Sequence, residues 1–155
     1  MQHDAKQAFW RALAFSPFLM VGLKGRGAHS LPMTAILDEE IQPGAIWFFT
    51  TKGNRLAPGG AAMAQFVSRE HDLFASLSGT LAADNDPHVI TRLWSSSIAD
   101  WYEYGRDDPA IQLLRMTPDD VEVWAAAPGN KGWFRRMTHD DIAAGKAWQH
   151  VDETI

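Results

Sequence analysis

At 155 residues the chain is sized for one domain, expected to span residues 1–155. A formal net charge of -5 offers no basic face for nucleic acid, and the absence of cysteine excludes disulfides, thiolate catalysis and cysteine-based zinc sites. The start, Met1-Gln2-His3-Asp4, has no signal-peptide pattern and no apolar run reaches bilayer-spanning length, so a cytoplasmic protein without membrane or nucleic-acid partners is expected.

In chain order, Asp4 is positioned to cap a helix to about residue 14, with Phe9 and Leu13 one turn apart. Ser16-Pro17 stops it, and residues 18–24 and 28–37 read as a hairpin around Gly25-Arg26-Gly27. Pro32 removes one donor from the second strand, which is therefore expected to lie at an edge or to bulge there, leaving backbone groups for a ligand. Residues 45–50 form a third strand, followed by a Gly- and Pro-rich loop over 51–60. Residues 61–67 and 73–82 are the fourth and fifth strands. In the fifth, Leu73, Ala75, Leu77 and Leu81 share one face and Ser76, Ser78 and Thr80 the other. Asp84 to Pro87 reads as a helix start, the helix running to about Trp94. Two more strands, 111–116 and 121–126, are expected to join at a turn over Thr117-Pro118-Asp119-Asp120, and Thr138 is positioned to cap a last helix.

Short strands with few helices predict a small barrel or rolled sheet. Residues 45–49 are apolar on both faces, and the first strand sets Phe18 and Met20 opposite Leu19, Val21 and Leu23. A small barrel buries only one face. The chain's own helices or a second subunit must cover the other, and the patterning, with Trp124 beside Glu122, favours the second subunit.

Chemistry concentrates in two stretches. Thr50-Thr51-Lys52-Gly53-Asn54-Arg55 offers two hydroxyls, two cations, an amide and a glycine, a set able to hold a phosphate; a solvated turn is the plainer reading. His29-Ser30-Leu31-Pro32-Met33-Thr34 has an interrupted ladder able to pair with a flat heterocycle, against the plainer reading of His29 as a surface imidazole. The six histidines lack metal-ligand spacing, and neither a nucleophile elbow nor a Rossmann fingerprint occurs. No metal site is expected and no catalytic residue stands out.

The order of "HSLPMT", "AIWFFT", "LFASLSGTLAADND" and "LW…ADWYEYGRDDPAIQLLRMTPDDVEVW" resembles the bacterial general stress proteins of the pyridoxamine 5'-phosphate oxidase-like, FMN-binding split-barrel superfamily. The resemblance covers nearly the whole chain. It implies a mainly β fold, a six- to seven-stranded antiparallel split barrel with flanking helices, and a homodimer holding FMN between subunits. It sets Ser30, Leu31, Pro32 and Met33 along the isoalloxazine, with His29 the titratable group nearest the ring. It sets Thr50 and Thr51 near the ribityl chain or phosphate. Arg55 stands for the usual Lys, Asn54 for a Ser, and Leu31 where an Arg is common, with Lys52 beside them. Trp101 becomes a candidate for reaching the partner's flavin; pure packing of Trp94, Trp101 and Trp124 is the alternative. Asp107, Asp108 and Pro109 would fix the turn into the next strand. The implied function is flavin binding, as an oxidoreductase in which FMN carries the electrons; the alternative is a non-catalytic dimeric stress protein that carries a flavin or small ligand or has a weak or empty cleft. A true pyridoxamine phosphate oxidase is not expected, because "AWQHVDETI" lacks the Arg-containing substrate segment of those enzymes.

Overall fold

Phe9 and Leu13 lie one turn apart on α1 (Gln2–Phe15) and are fully buried. They drive that helix into one end of a curled sheet, where Phe9 meets Phe66 edge-on at 5.8 Å. The structure, a computed structural model, describes residues 2–126 and 148–154. The helix begins before Asp4, which sits inside it.

The strands are β1 (Phe18–Leu23), β2 (Leu31–Thr34), β3 (Ile46–Thr51), β4 (Gly60–Val67), β5 (Leu73–Ala83), β6 (Ile111–Ala126) and β7 (Trp148–Thr154). They pair antiparallel in the order β2-β1-β4-β5-β6-β3, with β7 added to the far half of β6. Six strands curl into a nearly closed, split barrel, as expected from the sequence, with β2 and β3 as its two end strands. The helix expected after Thr138 falls largely outside the described residues; the segment that follows, 148–154, is a strand.

Alternation holds in β5: Leu73, Ala75, Leu77 and Leu81 are buried, and the hydroxyl-bearing residues face outward. Three expectations change. The second strand keeps only Leu31–Thr34 of residues 28–37, with a single further bridge from Ile36 to Trp47. The turn expected at 117–120 does not form, and β6 runs straight through it as 16 residues. Its register against β5 shifts between Ser78 and Gly79, so that Ser78 faces Asp120 and Gly79 faces Pro118. A β-bulge absorbs the extra residue, and Gly79 makes room for it: a Cβ there would lie 2.3 Å from the Thr117 carbonyl oxygen.

The third change concerns the outside of β3. Ile46 and Phe48 point into the barrel, while Ala45, Trp47 and Phe49 form a second core. That second core is closed by the chain's own α2 (Pro87–Leu93) and α3 (Ser96–Ala99), through Ile90, Leu93 and Ile98. Both helices are capped as their sequences suggest, by Asp86 accepting from the His88 N–H and Ser95 from the Ile98 N–H. On the opposite wall Phe18 stays 60% and Met20 43% exposed, with Val67 of the neighbouring β4 at 46%, so the outer face of β1 and β4 lacks full cover from the described residues.

Gly79→Ala is expected to lower stability by about 1–3 kcal/mol through overpacking at the bulge, read as a lower midpoint in urea with an unchanged slope.

Candidate functional site

The two segments singled out in the sequence lie on the facing edges of the split. In an antiparallel ladder, residues alternate between bonding toward one neighbour and toward the other. Ala35 N–H donates to Pro17 O, in register with Met33–Leu19 and Leu31–Val21. Leu31 and Met33 therefore turn their backbone groups toward β1, and Pro32, Thr34 and Ile36 turn theirs away. Ile36 and Trp47 exchange two bonds, of 2.8 and 2.9 Å. Lys52 N–H donates to Ala110 O at 3.0 Å on the β6 side, so Trp47, Phe49 and Thr51 face the split.

In the register this bridge sets, Thr34 would meet Phe49 and Pro32 would meet Thr51, but no further pair forms. Two features hold it open. Pro32 has no N–H to give, and the Thr51 carbonyl that would receive it accepts instead from Asn54 N–H at 3.0 Å. The result is a seam flanked by unpaired strand-edge backbone.

The remaining predicted residues are distributed unevenly around it. The Met33 side chain is buried in the core and Leu31 packs against that core. Ser30 sits over Gly22, where an added Cβ would lie 2.6 Å from the Ser30 Oγ. Arg55 reaches across 26 residues to donate to the His29 carbonyl at 2.8 Å, which joins the two loops. Asn54 Oδ1 accepts from Leu56 N–H at 2.8 Å and shapes the turn. Lys52 is exposed, and its ammonium makes no hydrogen bond or ion pair among the described residues. Trp101 is 51% exposed, on the connection between α3 and β6. No cluster of metal-ligating side chains occurs among the described residues.

Tyr102, not selected from the sequence, supports this end of the seam. Its hydroxyl donates to the Thr50 carbonyl at 2.5 Å, and its ring packs with Phe49 and Trp94 at 6.5 and 5.9 Å. Trp94 is thus a packing residue. Burial, and secondarily the Asp108 carboxylate, push the Tyr102 phenol up to about 12. Asp108 also fixes the turn into β6, accepting from Ala110 N–H at 2.8 Å and Tyr104 N–H at 3.1 Å. The signal for Tyr102 was its place beside Trp101 after the Ser95-capped turn, but its partner lies 52 residues away. A separate cavity of about 440 Å³ lies between α1 and the β4–β5 turn, lined by Arg11, Phe15 and Arg69 among others, and contains none of the predicted site residues.

A curled, six-stranded sheet with an unzipped seam defines the split-barrel class. The chain belongs to the pyridoxamine 5'-phosphate oxidase like family, whose profile matches residues 4–147. It is similar to the general stress FMN/FAD binding protein of Xanthomonas citri, at 41% identity and a TM-score of 0.73, over 79% of this chain and 89% of that one. A protein related to general stress protein 26, from Clostridium acetobutylicum, shares the fold at 17% identity and a TM-score of 0.71, over 100% of this chain and 97% of that one. Among curated proteins, general stress protein 26 of Bacillus subtilis (strain 168) is 27% identical over 55 residues, covering 36% of this chain and only 39% of the relative's length.

Tyr102→Phe is expected to cost about 0.5–1.5 kcal/mol, the worth of one hydrogen bond. The folded phenol's value lies above the ordinary 10.0. Its contribution is therefore complete below pH 10 and is lost as pH rises toward 12. Thermal melts of the wild type should fall more steeply across that window than those of the Phe variant.

Proposed function

We propose that the protein is an FMN-binding general stress protein, a single domain over residues 1–155 that acts in the cytoplasm as a homodimer. The observation that carries this reading is the convergence of residues 29–34 and 50–55 on one unzipped seam. The fit is chemical. A flat heterocycle with donors and acceptors on its rim suits the split-facing backbone at Thr34 and Phe49 and the N–H of Thr51. A phosphate suits Thr50, Thr51 and the uncommitted Lys52 ammonium. The FMN/FAD binding named for the Xanthomonas citri relative supports a flavin as the ligand.

In this reading the chain binds and orients the ring through β2 and the residues around His29 to Met33, and anchors the phosphate end through Thr50, Thr51 and Lys52. FMN, when bound, supplies the electron chemistry. The exposed Phe18 and Met20 are the face assigned to the second copy, and the exposed Trp101 is the residue assigned to reach across to the partner's flavin.

A second reading, a non-catalytic flavin or small-ligand carrier, is favoured by two details. Leu31, where the family pattern often has Arg, is turned to the core. Asn54 spends its carbonyl oxygen on the turn. The two readings differ in how tightly the cleft holds a flavin and in whether a bound flavin turns over.

Purified protein should be yellow and release FMN on denaturation, and Lys52→Ala should weaken FMN binding about tenfold or more, the worth of one charge-assisted bond. A colourless protein that takes up no added FMN would refute the proposal. Phe18→Asp with Met20→Asp should convert a two-chain particle to one chain by light scattering; a wild type already of one chain would remove the homodimer from it.

A further inference from the structure

The β1–β2 ladder stops at Val21–Leu31. The next carbonyl in its bonding series belongs to His29, and Arg55 takes it at 2.8 Å. Past the turn at residues 24–25, no backbone–backbone hydrogen bond holds residues 27–30 among the described residues. The residues leading into β2 are therefore tied to the loop after β3 by one guanidinium, at the end of the seam opposite the Ile36–Trp47 bridge. We propose that Arg55 is a positioning residue: it acts as a strap that sets the width of the seam, rather than as the phosphate's cation.

This inference rests on the flavin reading for its ligand and on the Arg55–His29 bond for its geometry. A neutral carbonyl already occupies one arm of the fork, whereas Lys52, three residues earlier, carries a charge with no partner among the described residues. Loosening the strap frees His29 and Ser30, the stretch assigned to the ring. It therefore affects any isoalloxazine, phosphorylated or not.

The test compares FMN with riboflavin, which shares the ring and lacks the phosphate. Arg55→Ala should weaken both by a similar factor, about tenfold, with their affinity ratio preserved. Lys52→Ala should weaken FMN alone. Arg55 is exposed, so its truncation leaves the core intact. Hydrogen exchange on the flavin-free protein supplies an independent readout: amides of residues 28–34 should exchange faster in Arg55→Ala. Loss of FMN with riboflavin unchanged would make Arg55 a phosphate ligand and overturn the strap, as would unaltered binding of both or unaltered exchange. If wild-type protein binds neither flavin, the flavin reading fails, and exchange alone decides whether the strap exists.

Discussion

The structure turns on one missing donor. A sheet of six strands that curls until its ends meet will zip shut if each edge can offer N–H and C=O in register. Here one pair forms, Ile36 with Trp47, and four residues along each edge, at Pro32 and Thr51, the edges are out of complement. Pro32 has nothing to donate, and the Thr51 carbonyl is already engaged by Asn54. The opening is thus built into the backbone chemistry of two short stretches.

What surrounds the opening is unequal in stiffness. Behind Thr50 lies a dry aromatic layer of Phe49, Trp94 and Tyr102, with the Tyr102 hydroxyl on the Thr50 carbonyl. Asn85 adds to it by accepting from Leu113 N–H at 2.7 Å and donating to Ile111 O at 3.0 Å, which locks the start of β6 to the approach of α2. The opposite lip has β1 along one side and a single guanidinium at its end. A ligand between them would meet one fixed wall and one adjustable wall.

Much of this was legible in the residues. The period-two pattern of Leu73 to Leu81 gave β5, Pro32 gave an edge strand, and Phe9 with Leu13 gave the plug helix, because each signal is local. The continuity of β6 was not legible. Thr117-Pro118-Asp119-Asp120 has turn chemistry, and only the glycine opposite it, nearly forty residues earlier in the chain, lets it remain a bulge. Nor does an apolar outer face say what covers it. Trp47 and Phe49 would look the same beneath a second subunit as they do beneath α2 and α3. The ties that shape the seam, Tyr102 to Thr50 and Arg55 to His29, join residues 52 and 26 apart, a distance that no periodicity reports.

The pairing of β3 with β6 has a consequence for how the protein is made. Ile46 pairs with Met116 and Thr51 with Ile111, separations of 70 and 60 residues. At a synthesis rate of about 5–20 residues per second, the two-sided apolar strand leaves the ribosome roughly 3–14 s before its partner. Until then β3 lacks its ladder partner, and α2 and α3, made in between, have no completed sheet face to close over Trp47 and Phe49. The newborn chain is at its stickiest in that interval, and this segment is where a chaperone would be expected to take hold.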